Sequence, residues 1–421
     1  MALFDDASLV TTPNGYKAGT LYSIKPTSGA GDMTVVRATT ATRVNSAGLI
    51  ESVAINVPRL DYLNASCPSL LVEPQRTNLA LYSEQFDNAA WTKTNVTITA
   101  NATSSPSGTT SADKIIANAS GGDKTTFQLI SITIGQAFTI SAFFKKSEYR
   151  LAFVRAGGQT ASPYVIYNLD TEAVVSTSGA SSTKIEDYGN GWYRILLTLN
   201  SATGGTCAPN VSFIPDSGYT LSGVNIPQYT GDGTSGGFVW GCQLEANGAT
   251  YATSYIPTTT AAVTRNADVI SKTGISSLIG QTEGTIFVDY VLNGQTNNAN
   301  ILNSEKNTTC SLFMAQKTNG NFDAGLYASA VLKAKITAGS IAVNQRAKVA
   351  YAYKSGNSAL YINGVQVGTS ADTYTLPSTL DDIFLNDITT YFSYQENVSY
   401  NQATLFQTRL TNAELATLTT L

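Results

Sequence analysis

The chain is expected to be all-β: two tandem antiparallel sandwiches after a short β-rich N-terminal segment, with one short helix at the C-terminal end. Three observations carry that expectation. Residues 347–368 write out a meander: Val349, Tyr351 and Tyr353 alternate with small or polar residues, Ser355, Gly356 and Asn357 mark a turn, and 360–362 form a second strand. Asn363 and Gly364 then supply the residue pair that a type I′ hairpin turn demands, because both of its central positions need positive φ. Residues 138–145 alternate in the same period of two. Finally, 43% of the 421 residues are hydrophobic but only 13% are charged, so Ser, Thr, Asn, Gln and Gly must cover the surface.

Composition excludes several classes. Histidine is absent, which removes Ser-His-Asp and Cys-His catalysis and the commonest metal ligand. A net charge of −4 with no basic patch leaves no footprint for nucleic acid. No apolar run approaches the ~20 residues of a membrane-spanning helix, so no membrane insertion is expected. The start, Met1 to Asp6, lacks a basic region followed by an apolar one, so no secretory signal is expected. Cys67, Cys207, Cys242 and Cys310 have no metal-ligand spacing and are read as free thiols, although the sequence itself pairs or unpairs none of them.

In chain order, residues 1–75 hold only short β runs, at 34–37 and 52–57, between turns at Asn14-Gly15 and Pro26. None can bury its own face. The segment is expected either to attach to a partner subunit or to fold on the next domain. A hinge follows at 70–79, LLVEPQRTNL. A first sandwich is expected over 76–258, with strands at 138–145 and 164–169 and a long one after the Gly turn at 189–191. The second is expected over 259–421. It begins with 284–291, where Thr285, Phe287, Asp289 and Val291 share a face, and continues through 310–314, 322–327, the meander and 400–406. Thr411 and Glu414 form a capping box that starts the one confident helix, from Asn412 to about Leu418. No internal repeat is evident.

Several strings carry a resemblance. YSEQFDNAAWTK at 82–93, GWYR at 191–194, WGCQLE at 240–245, SYIPT at 254–258 and TRNAD at 264–268 look like carbohydrate-binding-module-type jelly rolls of tailed-phage fibre and receptor-binding proteins. The hairpin around Asn363-Gly364 resembles those of concanavalin-A-like (laminin-G-like) sandwiches, and RLTNAEL at 409–415 resembles their usual ending. The resemblance implies a virion protein, part of a tail or head fibre. It would be made in the host cytoplasm and released by lysis. Residues 1–75 would attach it to other virion proteins as a homo-oligomer, a trimer by the habit of such fibres, while its sandwiches adhere to host cell-surface polysaccharide without catalysis. A purely structural decoration or spacer protein is the alternative, and a polysaccharide-degrading enzyme the third reading.

For sugar binding, exposed rings and polar loop residues are the chemistry to seek. Trp192 and Trp240 lie within strand patterns and are read as core, and Trp91 as a plug at one end. Glycan-binding candidates are therefore Tyr149, Arg155, Tyr229, Asp232, Tyr391, Phe392 and Tyr394. Glycoside hydrolysis would need two facing carboxylates, and no acidic pair sits in a recognisable motif. No cofactor is expected beyond a structural calcium. Its candidate ligands, Asp232 in the Gly-rich loop 229–237 with Gln243 and Glu245, follow from what modules of this kind often bind.

Overall fold

The computed structural model describes residues 3–307, 310–386 and 395–421, and every strand pairing among them is antiparallel. The fold is all-β, as the alternation predicts. The only α-helices among the described residues are Leu3–Asp6 and Asn412–Thr419, and neither is long and apolar enough to cross a membrane.

The first sandwich faces one sheet on another. One sheet runs Val96–Ser104, Thr110–Ala117, Gly236–Glu245, Phe138–Lys146, Tyr193–Leu199, Ser182–Asp187. The other runs Thr92–Thr94, Thr125–Phe127, Thr206–Ile214, Leu151–Gly157, Tyr164–Asn168, Ala173–Ser178. Strand Phe138–Lys146 sits centrally and shows how the alternation is used. Phe138, Ile140, Ala142 and Phe144 enter the inter-sheet core, while Phe143 points the other way. That outer face is not solvent. Phe143 packs with Trp192, Trp240 and Tyr255 beneath Val44 and Ile50 of the N-terminal segment. Both tryptophans are 2% exposed, so the core reading of Trp192 and Trp240 holds. Trp91 is also buried, against Phe86, with its indole N–H donated to Tyr82 O at 3.0 Å.

The second sandwich contains the predicted meander as strands Arg346–Lys354, Ser358–Ile362 and Val365–Ser370. Ile362 pairs with Val365 across the turn, where Asn363 and Gly364 have φ of 49° and 84°. These strands extend a sheet through Glu283–Gly294 and Asn397–Phe406. Thr285, Phe287, Asp289 and Val291 share one face of Glu283–Gly294, and the other face, Ile286, Val288, Tyr290 and Leu292, enters the main core. The first face is partly covered as well. Phe287 packs with Leu415 of the C-terminal helix, which hides the simple apolar-polar alternation. That helix carries its capping box: Glu414 N–H donates to Thr411 Oγ1 at 3.3 Å, and Thr411 N–H to Glu414 Oε2 at 2.7 Å.

Residues 1–75 are woven through this framework. Leu9–Thr11, Arg59–Asp61 and Ser69–Val72 join the meander sheet, and Thr34–Val36 joins the facing sheet beside Val269–Thr273. Strands of three or four residues bury no face alone; here Leu9–Thr11, Thr34–Val36 and Ser69–Val72 gain one by pairing with strands hundreds of residues away, and Arg59–Asp61 through Ser69–Val72. No disulfide joins the cysteines among the described residues; Cys67 is exposed, and Cys207, Cys242 and Cys310 are buried.

A buried charge cluster ties these parts together. Arg37 meets Asp268 at 2.7 Å, Arg59 meets Glu73 at 2.7 Å and also Asp268, and Arg265 meets Glu73 at 2.9 Å. Glu73 further accepts from Ser254 N–H at 2.8 Å and from Asn397 at 3.2 Å. The backbones of Glu73 and Asp268 donate to one another's residues at 3.0 Å. Thus LLVEP, SYIPT and TRNAD, distant in sequence, converge at the joint between the sandwiches.

Candidate functional site

Where the two sandwiches and the N-terminal segment meet, they leave a cleft of about 690 Å³. This is the size of a small-ligand pocket. A second hollow of about 240 Å³ continues past it, and Lys184, Glu186, Ala252, Asn293 and Asn344 border both. Together they make a groove rather than a round pocket.

One wall is the outer face of the meander sheet. Val398 and Tyr400 point into the core, so Asn397, Ser399 and Asn401 face the groove. On the neighbouring strand Leu292 points inward and Asn293 outward. Two register shifts sharpen this wall. Asp289 pairs with Gln402 but Tyr290 with Tyr400, which leaves Asn401 as the extra residue. Leu292 pairs with Val398 but Gly294 with Asn397, which leaves Asn293 as the other. Bulges of this kind re-aim side chains beside binding sites. Asn293 Nδ2 reaches Asn397 Oδ1 at 3.0 Å and Ser399 Oγ at 2.8 Å, and Asn401 Nδ2 reaches Asp289 Oδ1 at 3.0 Å. Asn344 is exposed at φ 65° on the rim.

The facing wall is the jelly-roll edge strand Ser182–Asp187 and Tyr188. Lys184 pairs with Glu186 at 2.9 Å and reaches across to Asn344 Oδ1 at 3.5 Å. Tyr188 is held edge-on against Phe143 with ring centroids 4.8 Å apart, and burial pushes its phenol up. Beneath lies Arg194, buried, donating to Thr253 O at 2.8 Å and Ser141 Oγ at 2.8 Å. Asp61 borders the groove with its oxygens engaged by Val44 N–H at 2.8 Å and Leu63 N–H at 3.1 Å. Burial raises its carboxyl above the ordinary range. The arrangement offers amides, hydroxyls and a ring to a hydroxyl-rich ligand, and its buried charged groups, Asp61, Glu73 and Arg194, are already partnered within the protein.

Of the sequence candidates among the described residues, Tyr149, Arg155, Tyr229 and Asp232, none lines this groove. Tyr149 and Tyr229 do come together, edge to face with centroids 6.1 Å apart. Tyr149 is half-buried, but Tyr229 is buried, donates to Phe213 O at 2.7 Å and lies under Lys124 Nζ at 5.6 Å. Asp232 caps its own turn, accepting from Thr234 N–H at 2.8 Å and Ser235 N–H at 2.7 Å. These bonds hold its carboxyl below the usual range, those from Ser235 most of all. Arg155 is 7% exposed and serves the interior, donating to Val224 O at 2.8 Å and Ser162 Oγ at 3.1 Å. Tyr391, Phe392 and Tyr394 lie outside the described residues.

The expected calcium set does not assemble. Asp232 precedes the ten-residue strand Gly236–Glu245, and Gln243 and Glu245 stand at its far end, roughly 25 Å or more away in extended chain. Gln243 and Glu245 are fully buried, accepting from Ile256 N–H at 2.7 Å and Thr253 N–H at 2.9 Å. They anchor the SYIPT turn. No group of three or more His, Cys, Asp or Glu able to hold a metal occurs among the described residues.

Sequence reasoning missed Asn293, Asn344 and Asn401. The Asn-Gly at 293–294 resembles any turn signal, and the bulges that aim these amides come from cross-strand register.

No family model matches the chain, and no curated protein does. Solved structures share local likeness. A carbohydrate-binding module (CBM40) of the Ruminococcus gnavus IT-sialidase, bound to α2,3 sialyllactose, is 14% identical, with a TM-score of 0.30 over 35% of this chain and 86% of that one. Domain 4 of AbnA, a GH43 extracellular arabinanase from Geobacillus stearothermophilus in complex with arabinotriose, is 13% identical, TM-score 0.30, over 41% and 83%. The native heptameric SAP-like pentraxin from Limulus polyphemus is 18% identical, TM-score 0.26, over 32% and 68%. At these scores the likeness carries no weight, and the sandwich architecture stands on the chain's own strand pairings.

Proposed function

We propose that this chain is a non-catalytic adhesion protein of a tailed-phage particle, a component of a tail or head fibre, that holds host surface polysaccharide in the groove between its sandwiches. The observation that carries the adhesive part is the ladder of Asn293, Asn397, Ser399 and Asn401 facing Lys184 and Glu186 across the groove. Side-chain amides offer a donor and an acceptor together, which suits adjacent sugar hydroxyls. Lack of turnover is supported by Asp61 and Glu73, whose carboxylate oxygens already accept hydrogen bonds within the protein. The viral part rests on the sequence strings. Attachment to other virion proteins, as part of a trimer, is supported by apolar side chains that the first 75 residues leave exposed: Phe4, Tyr22, Val36 and Ile55.

The test is binding of the full chain to purified host polysaccharide or intact host cells. Asn344→Gly with Asn401→Ser removes two amides while preserving the positive φ at 344. At ~0.5–1.5 kcal/mol per hydrogen bond, affinity should fall about tenfold with little change in melting temperature. Unchanged affinity removes the groove as the site. Release of reducing ends by the wild-type chain removes the non-catalytic reading.

A further inference from the structure

The groove's charge distribution carries a selectivity that amide chemistry alone does not specify. Resting on the adhesive reading above, we infer that this groove selects neutral glycan chains and rejects those bearing carboxylate or sulfate groups.

An acidic sugar is normally held by a guanidinium or ammonium free to fork or point at its anionic group. Three cations border the main cleft, and each is engaged. Arg43 Nε donates to Glu51 at 2.8 Å. Lys184 is paired with Glu186 at 2.9 Å. Arg194 is 2% exposed and spends its donors on Ser141 and Thr253. The guanidiniums of Arg59 and Arg265 lie behind the floor at 0% and 1% exposure, held by Glu73 and Asp268. They meet no ligand directly.

The charges that do face solvent at the mouth are mainly acidic. Glu172 and Asp187 are both exposed there, on the same side as the Lys184–Glu186 pair. Asp187 accepts only a local turn bond, from Gly189 N–H at 2.7 Å, so its second oxygen remains open to solvent. An approaching anion meets two exposed carboxylates, while each cation bordering the cleft, Arg43, Lys184 and Arg194, already has an acidic or polar partner within the protein. A neutral chain meets the same wall of amides at no electrostatic cost. The groove's length, two hollows sharing five bordering residues, suits more than one sugar unit.

The experiment uses the full-length chain on a printed panel in which each neutral oligosaccharide stands beside its sialylated, uronic-acid-bearing or sulfated counterpart, at 0.02 M and 0.5 M salt. Neutral members should bind about three- to tenfold better than their acidic counterparts at low salt. The gap should shrink at high salt, because exposed charges are screened within a Debye length of ~3–10 Å at 0.1 M and above. Glu172→Gln with Asp187→Asn preserves the turn bond and should close most of the gap at low salt by strengthening the binding of the acidic members. Acidic members bound as well as neutral ones by the wild-type chain would overturn the selectivity while leaving adhesion intact. A gap unmoved by the double variant would overturn the assignment to the groove's mouth. A panel silent throughout would remove the adhesive reading and this inference with it.

Discussion

Glu73 is the residue whose loss the structure makes most costly. It stands fully buried between Arg59 at 2.7 Å and Arg265 at 2.9 Å, and also accepts from Ser254 and Asn397. Glu73→Gln keeps the shape and removes the charge, leaving Arg37, Arg59 and Arg265 to share Asp268. Uncompensated buried charge of this kind costs ~3–5 kcal/mol. The pH behaviour gives a second route to the magnitude. Burial alone would push the Glu73 carboxyl up, but Arg265 and Arg59 outweigh it and hold it down at about 2. Against an unfolded value of ~4.3, that displacement corresponds to ~3 kcal/mol. Because the folded value is depressed, this stability is present in full above the unfolded value and is lost as pH falls from ~4.5 towards 2. Differential scanning calorimetry at pH 7 should show the variant melting ~3–6 °C lower than wild type, at an unfolding entropy of ~2.1 cal/mol/K per residue. The difference should narrow steadily below pH 4.5. A melting point within ~1 °C of wild type at pH 7, or a gap as wide at pH 2.5 as at pH 7, would refute this account of the joint.

Two smaller perturbations test the neighbouring elements. Thr411→Ala deletes the cap that accepts from Glu414 N–H and should cost ~1 kcal/mol, read as a lower urea midpoint with an unchanged slope. Gly294→Ala would place a Cβ 2.3 Å from the Tyr251 ring at the seam between sandwiches, so overpacking should cost ~1–3 kcal/mol and lower the melting temperature measurably.

What could be read from sequence was local and periodic. The meander, with Asn363 and Gly364 at its turn, and the Thr411–Glu414 box are settled by residues within a few positions of one another, and both formed as read. Burial of Trp192 and Trp240 followed from their place in strand patterns. Which face of strand Glu283–Gly294 enters the main core was not legible, because both faces carry apolar residues: Phe287 receives the C-terminal helix. The tyrosine loop was misread. Tyr229 sits in a Gly-rich stretch that suggests a surface ring, yet its hydroxyl is needed by Phe213 O in the interior. Residues 1–75 could not be placed at all, because a strand such as Arg59–Asp61 has meaning only beside Ser69–Val72 and, through it, Asn397–Phe406. Register between such distant segments is set by the assembled sheet, and so are the bulges that aim Asn293 and Asn401.

The same topology explains why the proposed binding groove belongs at this seam rather than on either sandwich alone. A wall of amides binds sugar usefully only if it is already rigid, since ordering side chains at the moment of binding consumes the small energy that hydroxyl contacts return. Asn293 is held by Asn397 and Ser399, Asn401 by Asp289, and Asp289 in turn by Arg346 at 2.8 Å. Opposite them, the jelly-roll wall is fixed in position because Ser254, two residues beyond the Ala252 that borders both hollows, is bonded to Glu73. The buried charges therefore tie the two walls of the groove together, and on the proposed reading the N-terminal strands that carry Arg59 and border Glu73 serve binding as well as attachment. An adhesin presenting many copies needs only weak contacts in each, provided every copy holds the same geometry. A joint built from five buried ionic groups and shared by three segments of the chain fixes that geometry in a single copy.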